Sequence, residues 1–91
     1  MNNSITRLKA SAKTTPKNLA WAIVSALSGN SEKVEITAVG AAATNQVVKA
    51  LAIARGMAIT KNRDVISKTS FATLEIDSKQ VTGIMFDCSF Q

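Results

Sequence analysis

Apolar and polar residues alternate over residues 5–12, the first segment of the chain with a clear pattern. The apolar set is Leu8, Ala10 and Ala12, and the polar set that alternates with it is Arg7, Lys9 and Ser11. A period of two is typical of a strand with one buried face. We therefore predict a first strand from Ile5 to Ala12 whose polar face carries Arg7 and Lys9.

The next segment has the start and stop signals of a helix. Thr15 suits the position before the first turn, and Pro16 suits the first helical position, where a missing N–H has no effect. Apolar residues then recur at helical spacing, at Leu19, Ile23, Ala26 and Leu27. Gly29 is placed to end this helix.

A second strand and a second helix follow. Residues 33–39 (KVEITAV) alternate again, with Val34, Ile36 and Ala38 on one face. Gly40 interrupts the alternation. We predict a helix from about Ala43 to Arg55 that Gly56 closes.

The C-terminal third is rich in β-branched and aromatic residues. It predicts strands over residues 64–76 and 81–90, joined by a polar turn at residues 77–80 (DSKQ). The order strand–helix–strand–helix–strand–strand predicts an α+β or α/β fold, a two-layer sandwich with both helices on one sheet face. Residues 1–91 form one domain in this prediction, and residues 1–4 are expected to be flexible.

The predicted second helix has apolar residues on two sides when its residues are placed at 100° intervals. The residues predicted to face the sheet are Val47, Ala50, Leu51 and Ala54. Those nearly opposite are Asn45, Lys49, Ala52 and Ile53. We predict that Ala52 and Ile53 pack against a second copy in a homodimer. The alternative is that they are isolated exposed residues, which soluble proteins tolerate.

The net positive charge of the chain narrows the classes of binding partner that we expect. The 91 residues include 11 Lys or Arg and 6 Asp or Glu, a formal net charge of +5, and no acidic residue precedes Glu32. Basic domains are attracted to polyanions such as nucleic acid or acidic membrane surfaces. The alternative is that the charge serves solubility alone. No apolar run reaches the ~20 residues of a membrane span, and residues 1–12 lack the apolar block of a signal peptide. A cytoplasmic protein, with nucleoid association open, is therefore expected.

The usual residues of catalytic and metal sites are absent from the sequence. The chain has no histidine, and Cys88 is its one cysteine. This excludes an intrachain disulfide, a thiolate metal cluster and a Cys–His nucleophile. We predict no metal, no cofactor and no enzymatic activity, with Cys88 buried in the core. An enzyme that binds a phosphorylated small molecule at the Gly40 turn is a third hypothesis, and it lacks an acid/base pair.

The start of the second helix is a candidate anion site. Gly40 and the three alanines after it leave backbone N–H groups accessible, and the amides of Asn45 and Gln46 follow. Lys49 comes one turn later. Unpaired N–H groups and the helix dipole attract anions. Capping by Thr44 or Asn45 explains the same residues equally well.

The aromatic residues fall into two groups. Phe71, Phe86 and Phe90 lie in predicted strands and are expected in the core. Trp21 projects from the first helix beside Lys17, away from the apolar face. It is placed to stack on an unpaired base, to cover an oligomer contact or to lie along a lysine stem.

Three segments resemble a known family. They are SAK-x-x-P (residues 11–16), NQ-x-VKA-x-AIARG (residues 45–56) and the closing hairpin. Together they are similar to the stage V sporulation protein S family over about residues 8–90. That family in turn resembles the Alba chromatin proteins. The resemblance implies a β1-α1-β2-α2-β3-β4 fold with a mixed four-stranded sheet, dimerisation, and binding of DNA or RNA.

The resemblance also implies which residues meet nucleic acid. Lys13 lies in the loop whose lysines contact the nucleic-acid backbone in Alba proteins. Lys17 is the neighbour of Lys13 one helical step later, and the other matching positions are Asn45, Gln46, Lys49 and Arg55. For Arg55 the alternative is that it covers the edge of the core and caps the end of the helix. Arg7 and Lys9 are expected to add general positive charge. Two departures are Ala42, where the family usually has a glycine, and a hairpin tip with one acid against one lysine.

The predicted function is therefore a dimeric regulatory or chromatin-like protein. It would bind DNA or RNA through backbone phosphates with low sequence specificity. The alternative is a protein–protein adaptor in a developmental or regulatory assembly. Such an adaptor would bind a regulatory partner through its apolar helix face and would not bind nucleic acid.

Overall fold

The computed structural model of the protein describes residues 4–91. Its elements are β1 (Ser4–Ala10), α1 (Pro16–Ser28), β2 (Ser31–Ala38), α2 (Ala41–Ile59), β3 (Val65–Ile76) and β4 (Lys79–Phe90). This is the predicted order. Ser4, expected to be flexible, already belongs to β1. The remainder of that expected flexible segment, residues 1–3, lies outside the described residues.

The four strands form one mixed sheet in the order β1-β2-β4-β3. β1 and β2 are parallel, with Leu8 opposite Ile36, and α1 connects them. β4 is antiparallel to both of its neighbours and places Phe86 beside Ile36. The buried side chains of the strands and of both helices belong to one core, so the helices share one face of the sheet. The two-layer α+β prediction is confirmed.

The core is built from small and aliphatic side chains. α2 packs into it with Ala43, Val47, Ala50, Ala54 and Ala58, and small residues let a helix approach its neighbours closely. Leu51, also predicted to face the sheet, is only partly buried. Cys88 is fully buried as predicted, and this burial raises the pKa of its thiol. No helix within residues 4–91 is long and apolar enough to cross a membrane.

The end predicted for α2 is wrong. The helix begins at Ala41, runs through Gly56 and ends at Ile59. Gly56 has no positive φ, so it continues the helix rather than stopping it. The added turn brings Ala58 into the core. Burial of apolar surface therefore outweighs the weak helix propensity of one glycine.

The β3–β4 hairpin has a tighter turn than predicted. Only Asp77 and Ser78 form it, both with positive φ (52° and 66°), while Lys79 and Gln80 already pair with β3. Two consecutive positive φ values are typical of the type I′ turn, which matches the twist of paired strands.

Residues 72–83 form a hairpin arm that extends beyond the β2–β4 pairing, which ends at Ala38 and Ile84. Gly83 makes the crossing of β2 possible, because a Cβ there would lie 2.7 Å from the Ala38 carbonyl oxygen. Beyond the crossing, Leu74 shares a cavity of about 260 Å³ with Arg7 and Lys9. The arm therefore leans over the open face of the sheet, the face that carries no helix.

Phe71, Phe86 and Phe90 were predicted to lie in the core. The prediction is right for Phe86, which is buried, and for Phe90, which packs against the core. The Phe90 ring also lies 4.3 Å from the Arg63 guanidinium. The prediction is wrong for Phe71, which is 81% exposed. Phe71 is paired with Ile84 and so points to the helix side of the sheet. Val65 at the start of β3 is buried in the core that the helices cover, whereas the strand at Phe71 has extended beyond this cover.

Candidate nucleic-acid interface

A hydrogen bond from α2 organises the loop between β1 and α1. The Gln46 side chain donates through Nε2 to the carbonyl oxygen of Thr14 at 2.8 Å. Within the loop, the Ser11 N–H donates to Thr14 Oγ1 at 2.8 Å, and the Lys13 N–H donates to Ser11 Oγ at 3.2 Å. The backbone that carries Lys13 is therefore fixed relative to the start of α2.

This bond links the segments that carry three lysines, Lys13, Lys17 and Lys49, which we call the basic cluster. Lys13 adjoins Thr14, and Lys17 lies one turn beyond Thr14 on α1. Lys49 lies one turn beyond Gln46 on α2. All three are exposed. None of them forms an ion pair with another described residue.

The first turn of α2 adjoins this cluster. Gly40 precedes the helix with φ of 90°, a value that favours glycine. Thr44 does not cap the helix, because its hydroxyl donates to the Gly40 carbonyl oxygen at 2.8 Å. Asn45 is exposed and makes no cap bond either. The first-turn N–H groups thus have no side-chain partner, so capping does not explain the choice of Thr44 and Asn45.

Arg55 lies apart from the basic cluster. It is nine residues beyond Gln46, about 13 Å along the helix. Its guanidinium donates to both carboxylate oxygens of Asp64, at 2.8 and 3.0 Å. The hydrogen bond from Arg55 lowers the pKa of Asp64, and the same bond raises the pKa of Arg55. The structure thus gives Arg55 a partner within the chain.

Arg7 and Lys9 lie on the open face of the sheet, opposite the helices. Arg7 Nε contacts Glu35 Oε1 at 3.2 Å. On the same face Lys33 Nζ contacts Asp87 Oδ2 at 3.4 Å. Two of the positive charges on this face are therefore balanced locally, whereas those of the basic cluster are not.

Most residues of a second exposed surface were not predicted from the sequence. Val48, Ala52 and Ile59 form a stripe along α2, and we call these residues together with Phe71 the apolar strip. Val48 is 53% exposed and Ile59 is 70% exposed. Val48 and Phe71 line a shallow cavity of about 470 Å³ beside the start of α2. Of the two predicted dimer residues, Ala52 belongs to the strip, whereas Ile53 is 37% exposed and lies about 100° further around the helix.

The signals for this strip were present in the sequence. Ile59 is seven residues beyond Ala52 and falls on the same helical face, but the predicted end at Gly56 removed it from the helix. Phe71 follows the strand alternation correctly. Its exposure depends on how far the helices extend over the sheet, which is a property of the packing.

Comparisons with known proteins agree with this architecture. Residues 6–91 match the family described as stage V sporulation protein S. Among solved structures, Alba from Thermoplasma volcanium superposes with a TM-score of 0.59 and 18% sequence identity, covering 97% of this chain and 99% of that chain. At this identity the likeness establishes a shared Alba-like fold.

Proposed function

The chain belongs to the stage V sporulation protein S family, and we propose that it binds DNA or RNA by contacting backbone phosphates through the basic cluster. The observation that carries this proposal is the Gln46–Thr14 hydrogen bond, which links the segments of three lysines that form no ion pair among residues 4–91. The resemblance to Alba proteins, drawn first from the sequence motifs, supports the same proposal. We further propose that the protein acts in the cytoplasm or at the nucleoid, where nucleic acid is accessible.

The proposed mechanism is electrostatic. Lys13, Lys17 and Lys49 neutralise phosphates and release the counterions condensed on them. Each phosphate contact makes the log–log dependence of affinity on salt steeper by about 0.9 for duplex DNA or about 0.7 for a single strand. The exposed Asn45 amide adds a hydrogen bond. Contacts to the backbone carry little sequence information, so low sequence specificity follows.

The roles proposed here for two of the predicted residues, Gln46 and Arg55, differ from those expected from the sequence, whereas Arg7 and Lys9 keep their expected role. Gln46 positions the Lys13 loop, and this use occupies one of its amide hydrogens. Arg55 is engaged by Asp64. Arg7 and Lys9 lie on the opposite face of the sheet and are assigned a contribution to the general positive potential.

The proposed assembly is a homodimer formed through the apolar strip. Beyond the buried Val65, β3 presents its helix side exposed, with Phe71 on it, and α2 presents an outer stripe without a strand below it. A two-fold axis would place the α2 stripe of each copy on β3 of the other, so that both unpartnered surfaces are covered by one self-complementary contact. Such a dimer would carry two basic clusters, and a nucleic acid that reaches both would be held more tightly.

The test is fluorescence anisotropy with labelled duplex DNA, single-stranded DNA and RNA across a salt series. We compare the native protein with Lys13→Glu/Lys49→Glu and with a matched control, Lys9→Glu/Lys68→Glu, which makes the same charge change on the open face. The proposal expects the first double variant to lose most binding and the control to keep it. Equal losses would indicate non-specific attraction by net charge, and no saturable binding by the native protein at low salt would overturn the proposal.

A protein adaptor is the second candidate, and the exposure of Phe71 and Ile59 favours it. In that case the apolar strip binds a regulatory partner rather than a second copy, within the kind of developmental assembly that the family name suggests. An adaptor tolerates Lys13→Glu/Lys49→Glu but loses its partner with Ile59→Glu. Recovery of a partner from cell extract by the native protein and not by Ile59→Glu, in the absence of any nucleic-acid binding, would favour this function.

A further inference from the structure

The outer side of α1 carries an exposed tryptophan between polar residues. Trp21 is 58% exposed. Lys17 precedes it by one turn, and Ser25 and Ser28 continue the same stripe towards the end of the helix. α1 contains no acidic residue. The stripe thus combines a cation, an aromatic ring and two hydroxyl groups without a negative charge.

A second lysine reaches the far end of this stripe from another element. Lys61, just beyond α2, donates through Nζ to Ser28 Oγ at 3.2 Å. Lys17 and Ser28 are eleven residues apart, which is about 16 Å along the helix. A stacked strand advances about 3.4 Å per nucleotide. The two lysines are therefore separated by roughly four or five nucleotides.

The ring of Trp21 is available for stacking. The cation–ring contact found among the described residues joins Arg63 and Phe90. No lysine covers the Trp21 ring within residues 4–91, although Lys17 lies one turn away. Aromatic rings stack on unpaired bases, whereas the bases of an intact duplex are already stacked on one another.

We infer that α1 carries a track for single-stranded nucleic acid, in which Lys17 and Lys61 contact phosphates and Trp21 stacks on an unpaired base. This inference rests on the proposed function and adds the ligand class, because Lys17 belongs to both the basic cluster and the track. A strand bound at the cluster continues along α1. The consequence is a preference for single strands over duplexes of the same length.

The surroundings of Trp21 favour this ligand over a protein partner. Protein interfaces are centred on contiguous apolar patches. Trp21 has Lys17, Ser25 and Ser28 on its stripe instead, and the contiguous exposed apolar residues belong to α2 and β3. Phosphates and hydroxyl-rich sugars match the polar stripe, and a base matches the ring.

The experiment uses the fluorescence of Trp21, which is the one tryptophan in the chain. The native protein is titrated with a ten-nucleotide oligothymidylate, with an oligouridylate of the same length and with a duplex of equal length, at low salt. Stacking is expected to quench the emission strongly with both single strands and weakly with the duplex. Anisotropy of labelled copies of the same ligands gives the affinities.

Three variants complete the test. Trp21→Ala is expected to weaken single-strand binding by about five- to a hundred-fold with little effect on the duplex, and Trp21→Phe is expected to recover much of that loss. Lys61→Glu should weaken single-strand binding more than its control Lys68→Glu, which lies on the open face. Because Trp21 and Lys61 are both exposed, circular dichroism should show unchanged folding.

The outcomes separate the inference from the proposed function. The track is contradicted if the native protein binds saturably without quenching of Trp21 and Trp21→Ala keeps the same preference for single strands. The proposed role of the basic cluster is not affected by that outcome. No binding to any of the three ligands overturns both. Equal losses in Lys61→Glu and Lys68→Glu also contradict the track. A change in sedimentation with Trp21→Ala in the absence of nucleic acid would assign Trp21 to a contact between copies instead.

Discussion

Gln46 and Thr14 are joined by a 2.8 Å hydrogen bond between residues 32 positions apart in the chain. The donor is a side chain of α2 and the acceptor is a backbone carbonyl of the β1–α1 loop. One bond therefore links the two segments that supply the basic cluster. Its loss is expected to affect binding more than stability.

Gln46→Leu preserves the size of the side chain and removes the donor. The free energy of unfolding should fall by about 1 kcal/mol, the net contribution of one such bond. Amide hydrogen exchange should become faster in the loop around Lys13, and nucleic-acid affinity should fall because Lys13 is no longer fixed. Asn45→Ala is the control for stability and loop exchange only, since Asn45 is exposed and is itself proposed to contact nucleic acid. Unchanged exchange in Gln46→Leu would show that other contacts hold the loop.

Two glycine-to-alanine substitutions are expected to act in opposite directions. In Gly83→Ala the new methyl group meets the Ala38 carbonyl oxygen at 2.7 Å, so unfolding free energy should fall by about 1–3 kcal/mol. In Gly56→Ala the new methyl group meets no atom within 4 Å. Because alanine is the better helix former, the unfolding free energy should rise by about 0.5–1 kcal/mol. Urea denaturation measures both changes. A stabilising Gly83→Ala would contradict the close crossing of the hairpin arm over β2.

The Arg55–Asp64 pair gives the stability a defined pH dependence. A carboxyl group whose pKa is lowered in the folded state stabilises that state above its ordinary pKa of 3.8. This stabilisation is lost as the pH falls through the lower pKa of the folded state. Asp64→Asn should therefore be less stable than the native protein at pH 7, and the difference should shrink as the pH falls below about 3.8. Denaturation at a series of pH values measures it.

Arg55→Gln provides an independent check on the same pair. Without the guanidinium donor, the pKa of Asp64 should rise towards its ordinary value, which carboxyl chemical shifts in an NMR titration would report. An unmoved Asp64 pKa would show that the Val65 backbone N–H, which also donates to Asp64 at 2.8 Å, is the dominant cause.

Dimerisation through the apolar strip predicts a change in mass on single substitutions. Ile59→Glu or Phe71→Ser should convert a dimer into a monomer in sedimentation velocity, because each places a polar group in the covered surface. Ile66→Glu is the control, since Ile66 is also exposed but lies on the open face. A dimer that survives the two strip substitutions and dissociates with Ile66→Glu would move the interface to the open face.

The sequence predicts the elements well because their signals are local. Thr15, Pro16 and Gly29 mark the ends of α1 within a few residues of chain, and the alternation in β2 identifies its buried face. Gly56 does not end the helix, because burial of Ala58, which lies beyond it, stabilises a further helical turn. A glycine signals an end only where the following residues have no core to join.

The candidate site was predictable as a set of residues but not as an arrangement. Lys13, Lys17 and Lys49 were identified, and the Gln46–Thr14 bond links the segments that carry them, while their contact with nucleic acid stays a prediction. The pairing of Arg55 with Asp64 could not be read from the sequence, because nine residues and the true end of α2 intervene. The role of Gln46 was equally hidden, since its acceptor is a backbone carbonyl, which every residue possesses.

The placement of β4 has a consequence for biosynthesis. β4 is made after β1, β2 and β3 and yet lies inside the sheet, between β2 and β3. Until it leaves the ribosome, β2 has one unpaired edge, and the apolar faces of both helices lack a complete sheet to cover. The nascent chain therefore passes through a stage in which the edge of β2 has no partner strand, and an unpaired strand edge is a site for chaperone binding or for pairing with another chain.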